Sequence, residues 1–320
     1  MRELPLGIKN ERRLKSLTGL GIEKYEILLQ IFSIIYSENK AKNESPKELK
    51  RKPGGGRKPS LPTIEIKLLF VLYYLKAYPT FDVLGDRFGM ACSTANIHLH
   101  LLMPLLQLAL EKLKVIPKRS FESPEELQAY LNSLGGVSEI LIDVTEREHF
   151  RYQDSEKRDA FLYSGKKKRF TVKNTVITTV NKFVLFLGLT TQGSFHDYAL
   201  LKEEFSPKFD WFEFLKAWVD LGYLGMPKDY KGKIQIPHKK PRKSKKKPNP
   251  QLTTNQKEEN TEMSRIRIFV ENAIAGIKRY AILNYKFRNK KENFDDDVIA
   301  IAAGLWNFKL TENYILKSYL

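Results

Sequence analysis

Apolar residues recur at helical spacing from Ile22 to Tyr36, where Leu28, Leu29, Ile31, Phe32 and Ile35 share a face, and predict a small helical unit over residues 1–52. A second periodic run, Thr63 to Ala77, predicts another helix. It is followed by Thr80, Phe81, Leu84, Phe88, Gly89, Ser93 and Ile97. That order suits a helix-turn-helix within residues 63–134: Thr80 can cap the first helix, Gly89 permits the tight turn and Ser93 can cap the second. A recognition helix starting near Ser93 would expose Asn96, His98 and His100. The same order also fits a helical hairpin that only packs.

After Gly135-Gly136 the periodicity becomes that of strands. Val137 to Ile142 is a short apolar run ending at Asp143, Phe170 to Val180 alternates, and Phe183 to Thr190 is a third run, which Asn181-Lys182 can join to the second as a hairpin. Phe214 to Val219 ends at Asp220 and is followed by Gly222 and Gly225. Lys233 to Pro237 reads as a fifth strand, Glu262 to Tyr280 as a helix, and Val298 to Phe308 as a packing helix. Strands and helices in this order predict a mixed α/β domain over residues 135–320. Residues 239–259, rich in Lys, Pro, Asn, Thr and Gln, read as a flexible loop.

Charge adds a partner to this outline. The 320 residues carry 55 Lys and Arg against 37 Asp and Glu, a net +18, which suits a polyanion. Lys47 to Lys58 has six basic residues and one acid, Gly165 to Lys173 five and none, and Lys228 to Lys247 ten and one. These three patches hold essentially the whole excess, so the charge is focused and not a uniform solubilising coat. Arg57 and Lys58, in the Gly/Pro linker 53–62, read as a phosphate-contacting arm or as a solvated hinge.

Composition also excludes classes. A single cysteine, Cys92, rules out an internal disulfide, and no paired Cys/His spacing suggests zinc. The amino terminus lacks a signal pattern, and Ile64 to Leu75 is too short and too charged to span a bilayer. The expectation is a soluble cytoplasmic protein that is not exported and does not engage a membrane.

Asp143 and Asp220 each stand at the carboxyl end of an apolar run, the edge where open α/β sheets place their sites. Glu271 follows Arg267 by four residues and precedes Lys278 by seven, so the three fall on one helical stripe beside an apolar stripe of Ile266, Val270, Ala273, Ile274 and Ile277. Three carboxylates without a Cys or His cluster point to a hard cation, Mg²⁺ or Mn²⁺, and two such ions about 4 Å apart serve phosphoryl transfer. Each carboxylate also has a plainer reading as a surface or capping group. Asp197, after His196, rivals Asp220 for the second position. Glu146 is a further candidate, or else a salt-bridge partner of Arg147 or Arg151.

Asp143 in Leu-Ile-Asp-Val-Thr-Glu, Asp220 in Val-Asp-Leu-Gly-Tyr-Leu-Gly and Glu271 in Arg267-x3-Glu271-x6-Lys278 resemble the three signature boxes of DDE insertion-sequence transposases. The resemblance is closest to the group with an N-terminal helix-turn-helix related to Harbinger-like elements. Gly56-Arg57-Lys58-Pro59, Tyr163-Ser164-Gly165-Lys166-Lys167-Lys168 and His196-Asp197 agree with it. Ser264 departs from it, standing where relatives often carry Tyr.

The resemblance implies an RNase H-like catalytic domain, interrupted by the basic loop, after an all-helical helix-turn-helix domain. It implies metal-dependent cleavage at the element's ends and attack of the released 3′-hydroxyl on target DNA. Asp143, Asp220 and Glu271 would hold two Mg²⁺ or Mn²⁺ ions, supported by Arg267, Lys278, His196, Asp197 and Glu146. Double-stranded DNA, carrying the terminal inverted repeats or the target, would meet Arg57, Lys58, Ser93, Asn96, Lys166, Lys167, Lys168, Lys239, Lys240 and Arg242. A homo-oligomer on DNA and a place at a prokaryotic nucleoid follow as expectations. The competing readings are a non-catalytic DNA-binding protein descended from a transposase and a structure-selective nuclease. A pure binder gains nothing obvious from the carboxylates with Arg267 and Lys278, and a structure-selective nuclease explains the helix-turn-helix less well.

Overall fold

Several helices in this chain begin where a short polar side chain can take a free amide. Asn10 accepts the Arg13 amide at 3.0 Å and opens α1 (Glu11–Thr18). Thr63 accepts Ile66 N at 3.2 Å and opens α3 (Ile64–Ala77), and Thr80 accepts Val83 N at 3.4 Å and opens α4 (Phe81–Phe88). The computed structural model describes residues 8, 10–43, 59–150, 163–243, 248–313, 315 and 319. Arg57 and Lys58 lie outside the described residues. Two compact units result: Met1–Ile116 with Ile277–Tyr285 and Asp297–Leu320, and Pro117–Gly276 with Lys286–Asp296.

The first unit is helical. With α1, α3 and α4 it contains α2 (Ile22–Asn43) and α5 (Cys92–Lys112) around a core that includes Leu14, Leu28, Phe32, Leu68, Phe70, Leu99 and Leu106, all inaccessible to water. Between α4 and α5, Gly89 adopts φ 66°. The closest backbone approach, however, is at Gly85, where a Cβ would lie 2.4 Å from the Met90 carbonyl oxygen. The expected cap at Ser93 is corrected: α5 starts one residue earlier, at Cys92, and Ala91 occupies the cap position without a side-chain bond. Ser93 is exposed, whereas Asn96, His98 and His100 are half-buried and not fully exposed as expected.

The second unit is a mixed sheet flanked by helices, the architecture expected of an RNase H-like domain. Its elements are α6 (Pro124–Ser133), β1 (Glu139–Glu148), β2 (Tyr163–Ser164), β3 (Arg169–Thr179), β4 (Val184–Leu187), β5 (Thr191–Gln192), α7 (Asp197–Glu204), β6 (Lys216–Trp218), α8 (Met226–Asp229), β7 (Lys233–Gln235) and α9 (Thr254–Ile277). β1 is central. It pairs antiparallel with β3 and parallel with β6, which pairs parallel with β7; β3 also pairs antiparallel with β2, β4 and β5.

Strand alternation divides the core in two. Ile140, Ile142, Ala217 and Val219 join Leu127 and Leu131 of α6 and Leu201 of α7 in one cluster. Leu141 and Trp218, on the opposite face, join Val270 of α9, with Met263, Ile266, Phe269 and Ile274 packed around them.

Three expectations need adjustment. β1 does not end at Asp143 but runs to Glu148, because Val144 through Glu148 keep their pairing with Thr175 through Thr171. α9 starts at Thr254, so residues 254–259 are helical and not part of a loop. Thr253 and Gln256 cap its start reciprocally, Gln256 N to Thr253 Oγ1 at 3.2 Å and Thr253 N to Gln256 Oε1 at 3.0 Å. The compact units also do not follow the boundaries at 62 and 134. α6 buries Leu127 and Leu131 in the sheet's core, while α10 (Phe294–Leu310), from Asp297 onward, belongs with the helical unit, where Asn307 Nδ2 donates to the Val115 carbonyl at 2.9 Å.

Candidate active site

Leu141 of β1 lies opposite Trp218 of β6 in the parallel ladder. Two residues further along each strand direction are Asp143 and Asp220, and Asp220 keeps an extended backbone (φ −91°, ψ 179°). Alternation therefore points both carboxylates to the face covered by α9, at the same level of neighbouring chain segments.

Asp143 Oδ1 accepts its neighbour's amide, Val144 N, at 2.8 Å. Burial pushes its carboxyl up to about 6, with Asp220 and Glu271 adding to the rise and the Val144 amide and the Arg267 guanidinium opposing it. The three carboxylates expected from the sequence are thus electrostatic neighbours.

The residues after Asp220 have separate physical tasks. Asp220 Oδ1 accepts Gly222 N at 2.7 Å and caps a 3₁₀ turn, Leu221–Tyr223. A Cβ on Gly222 would stand 2.8 Å from that same oxygen, and one on Gly225 would stand 2.7 Å from the Tyr198 ring. Tyr223 is buried against Tyr198, edge to face at 6.0 Å. Burial, with Asp143, Asp197, Asp220 and Glu204 nearby, holds the Tyr223 phenol well above its ordinary value.

Glu271 is the most open of the three, its side chain 57% exposed, while Arg267, one turn earlier on α9, is 20% exposed and stands 3.9 Å from it. Arg267 is thus a charged neighbour of both Asp143 and Glu271. Lys278 is the first residue beyond the end of α9. Among the described residues no three His, Cys, Asp or Glu side chains converge closely enough to grip a metal ion. The donor type nevertheless fits a hard divalent cation: three carboxylates, one of them buried and destabilised as an anion.

Asp197 is engaged elsewhere. Lys173 Nζ, from β3, donates to Asp197 Oδ1 at 2.9 Å and to the Phe195 carbonyl at 3.0 Å. His196 caps α7, its Nδ1 accepting Tyr198 N at 3.3 Å. Glu146 accepts Thr171 Oγ1 at 2.6 Å. Of its alternative partners, Arg147 is committed to Asn174, Thr190 and the Asp295 carbonyl, and Arg151 lies outside the described residues. Tyr223 and Lys173 were not singled out from sequence. Tyr223 lay within the second box, whereas Lys173 carried no signal beyond its place in a basic run.

Of the candidate DNA-contacting residues, Lys166, Lys167 and Lys168 are exposed on the turn between β2 and β3, with Lys168 at φ 52°. Lys239, Lys240 and Arg242 are exposed after β7. Among the described residues no helix is long and apolar enough to cross a membrane.

Neighbouring carboxylates beside the central parallel pair of a mixed sheet fit an enzyme of nuclease type. Residues 142–307 match the family described as "DDE superfamily endonuclease", and residues 59–112 match "Helix-turn-helix of DDE superfamily endonuclease". The chain belongs to the DDE superfamily endonucleases. Over 300 residues, 93% of this chain and 95% of the relative, it is 28% identical to the "Probable transposase for insertion sequence element IS702" of Microchaete diplosiphon. No solved structure matches the chain significantly.

Proposed function

We propose that this chain is an insertion-sequence transposase that cleaves DNA at the ends of its element and joins the ends to target DNA, with Asp143, Asp220 and Glu271 as ligands of two divalent cations, Mg²⁺ or Mn²⁺. The supporting observation is that Asp143 and Asp220 lie at one level of two parallel segments beneath α9, while Glu271 and Arg267 contribute to the same electrostatic neighbourhood. Such ions supply an activated attacking oxygen and stabilise the leaving oxygen in phosphoryl transfer.

The chain's own groups orient and neutralise. The Val144 and Gly222 amides fix one oxygen of Asp143 and of Asp220, leaving the second oxygen of each for a ligand. Arg267 steadies Glu271 or takes a DNA phosphate, and Lys278 contributes a further cation. His196 at the start of α7 and Asp197 beside it border the site, while Glu146, three residues beyond Asp143 on β1, lies on the other face of the strand.

Ser93 and Asn96 near the start of α5 read the DNA end. Arg57, Lys58, Lys166, Lys167, Lys168, Lys239, Lys240 and Arg242 hold phosphates. Two double-stranded ends brought to one target call for a homo-oligomer on DNA, at the nucleoid.

The test supplies the full chain with duplexes carrying the element's ends and either Mg²⁺, Mn²⁺ or a chelator. The expected result is cation-dependent cutting at the end and a joined product. Binding of the duplex without any cation-dependent cutting would overturn the reading in favour of a pure DNA binder.

A further inference from the structure

α5 is apolar on two sides. One side, with Ala95, Leu99, Leu102, Leu106 and Ala109, is buried in the core of the helical unit. The other carries Ile97, Leu101, Pro104 and Leu108, whose spacing of four, three and four residues sets them in one stripe along the helix. Ile97 is 58% exposed, Leu101 62% and Leu108 44%, and Pro104 is exposed with them. A helix that is apolar all round is ordinarily buried all round, and a continuous exposed stripe, unlike a single exposed leucine, marks an interaction surface.

Charge narrows the choice of partner. From Cys92 to Leu110 the helix carries no Asp, Glu, Lys or Arg, in a chain with 29% charged residues and a net +18. His98 and His100 are half-buried, and burial with the Lys67 ammonium holds the His98 imidazole below its ordinary value. DNA is a poor occupant of the stripe, because a face without cations cannot neutralise phosphates. A second copy of the chain fits. Two molecules of net +18 repel one another, and an uncharged apolar patch can meet itself without setting like charges face to face.

We propose that the exposed face of α5 from Ile97 to Leu108 is a self-association surface that packs against the same face of a second copy about a two-fold axis. The spacing is self-complementary: with the helices antiparallel, Ile97 meets the partner's Leu108 and Leu101 meets the partner's Pro104. Ser93, in the first turn of α5, lies outside the paired stretch. From Ile97 to Leu108 the stripe is about 16 Å long at 1.5 Å per residue. One such seam buries less than the roughly 800 Å² per partner of a stable complex, so association falls in the micromolar range and strengthens where DNA brings copies together. The surface serves the oligomer proposed above and does not depend on the metal-site reading.

The test is sedimentation velocity of the full chain without DNA, from about 1 to about 200 µM. A reductant is present because Cys92 is exposed. The wild type is expected to shift from monomer to dimer across that range. Leu101→Glu and Leu101→Lys are each expected to weaken association at least about tenfold, since each sets like charges beside the two-fold axis. At low concentration each should melt within about 2 °C of the wild type, because the replaced side chain stands in water. Mixed in equal amounts, the two variants should associate again, Glu then facing Lys.

A wild type that stays monomeric throughout, or Leu101 variants that dimerise as the wild type does, would overturn the proposal. Weaker binding of duplex DNA by both variants, with self-association unchanged, would overturn it as well and give the stripe to the DNA groove. Failure of the mixed variants to associate would remove the self-paired face, whatever the melts show.

Discussion

Asp143 and Asp220 stand two residues beyond Leu141 and Trp218, a parallel pair in the central strands. Strands in a sheet lie about 4.8 Å apart, so continuing the register places the two carboxyl-bearing positions side by side on one face. The same face receives Val270 of α9, and Glu271 is the next residue on that helix. One packing contact therefore links the three boxes, which are far apart in sequence.

This geometry separates Asp220 from its rival. Asp197 is held by Lys173, whereas Asp220 is a charged neighbour of Asp143. Asp220→Asn is expected to lower cleavage of end-bearing DNA by about 10³-fold, the scale of a lost ligand at a catalytic ion. Asp197→Asn should cost about tenfold or less. Single-turnover cleavage rates check this, and the reverse ranking would assign the second metal position to Asp197.

Gly222 provides a stability–activity split. An alanine Cβ would meet Asp220 Oδ1 at 2.8 Å, and a side-chain oxygen can move away at little energetic cost. Gly222→Ala should therefore shift stability by about 1 kcal/mol or less. Cleavage should fall by about 10²-fold, because the displaced group is a ligand. A melt and a rate measured on the same preparation test the split.

Glu204 predicts a pH dependence of stability. Burial pushes its carboxyl from 4.5 up to about 7, against the pull of the Thr175 hydroxyl and Arg119. A folded-state value above the unfolded one means the contribution is complete below about pH 4.5 and is lost as pH rises through about 7. Glu204→Gln should remove that loss, gaining relative to the wild type by at most about 3 kcal/mol between pH 4 and pH 8. Denaturant melts across this range measure it, and parallel curves for the two proteins would contradict it.

Phosphate contacts predict a salt slope. Neutralising Lys166, Lys167 and Lys168 to Gln should weaken binding to all duplexes alike and reduce the slope of log affinity against log salt by up to about 3. Fluorescence anisotropy at several salt concentrations reads both. An unchanged slope would remove this turn from the DNA-contacting surface.

Much of this was legible in the chain because the signals are local. Thr63 and Thr80 cap the helices they precede, and the apolar runs around Ile142 and Ala217 are the central strands. The extension of β1 was hidden because Glu146, Arg147 and Glu148 are three consecutive charged residues, and their strand character comes from pairing with β3. The start of α9 was hidden differently. Thr253 and Gln256 form a recognisable cap, but residues 254–260 have no apolar stripe, so composition suggested a loop. Ser93 looked like a cap although Ala91 holds that position, because the turn closes at Gly85 and Met90 before the serine is reached. The engagement of Asp197 by Lys173, and the burial of Tyr223 among carboxylates, depend on contacts between distant segments that no local pattern encodes.

The most direct measurement is single-turnover cleavage of a duplex carrying the element's end, in Mg²⁺ and in Mn²⁺, by the wild type and by Asp143→Asn, Asp220→Asn and Glu271→Gln. Binding of the same duplex is followed in parallel. The metal-site account predicts that each variant binds the duplex within about threefold of the wild type but cuts it at least about 10³-fold more slowly. Wild-type cutting by all three variants would contradict it.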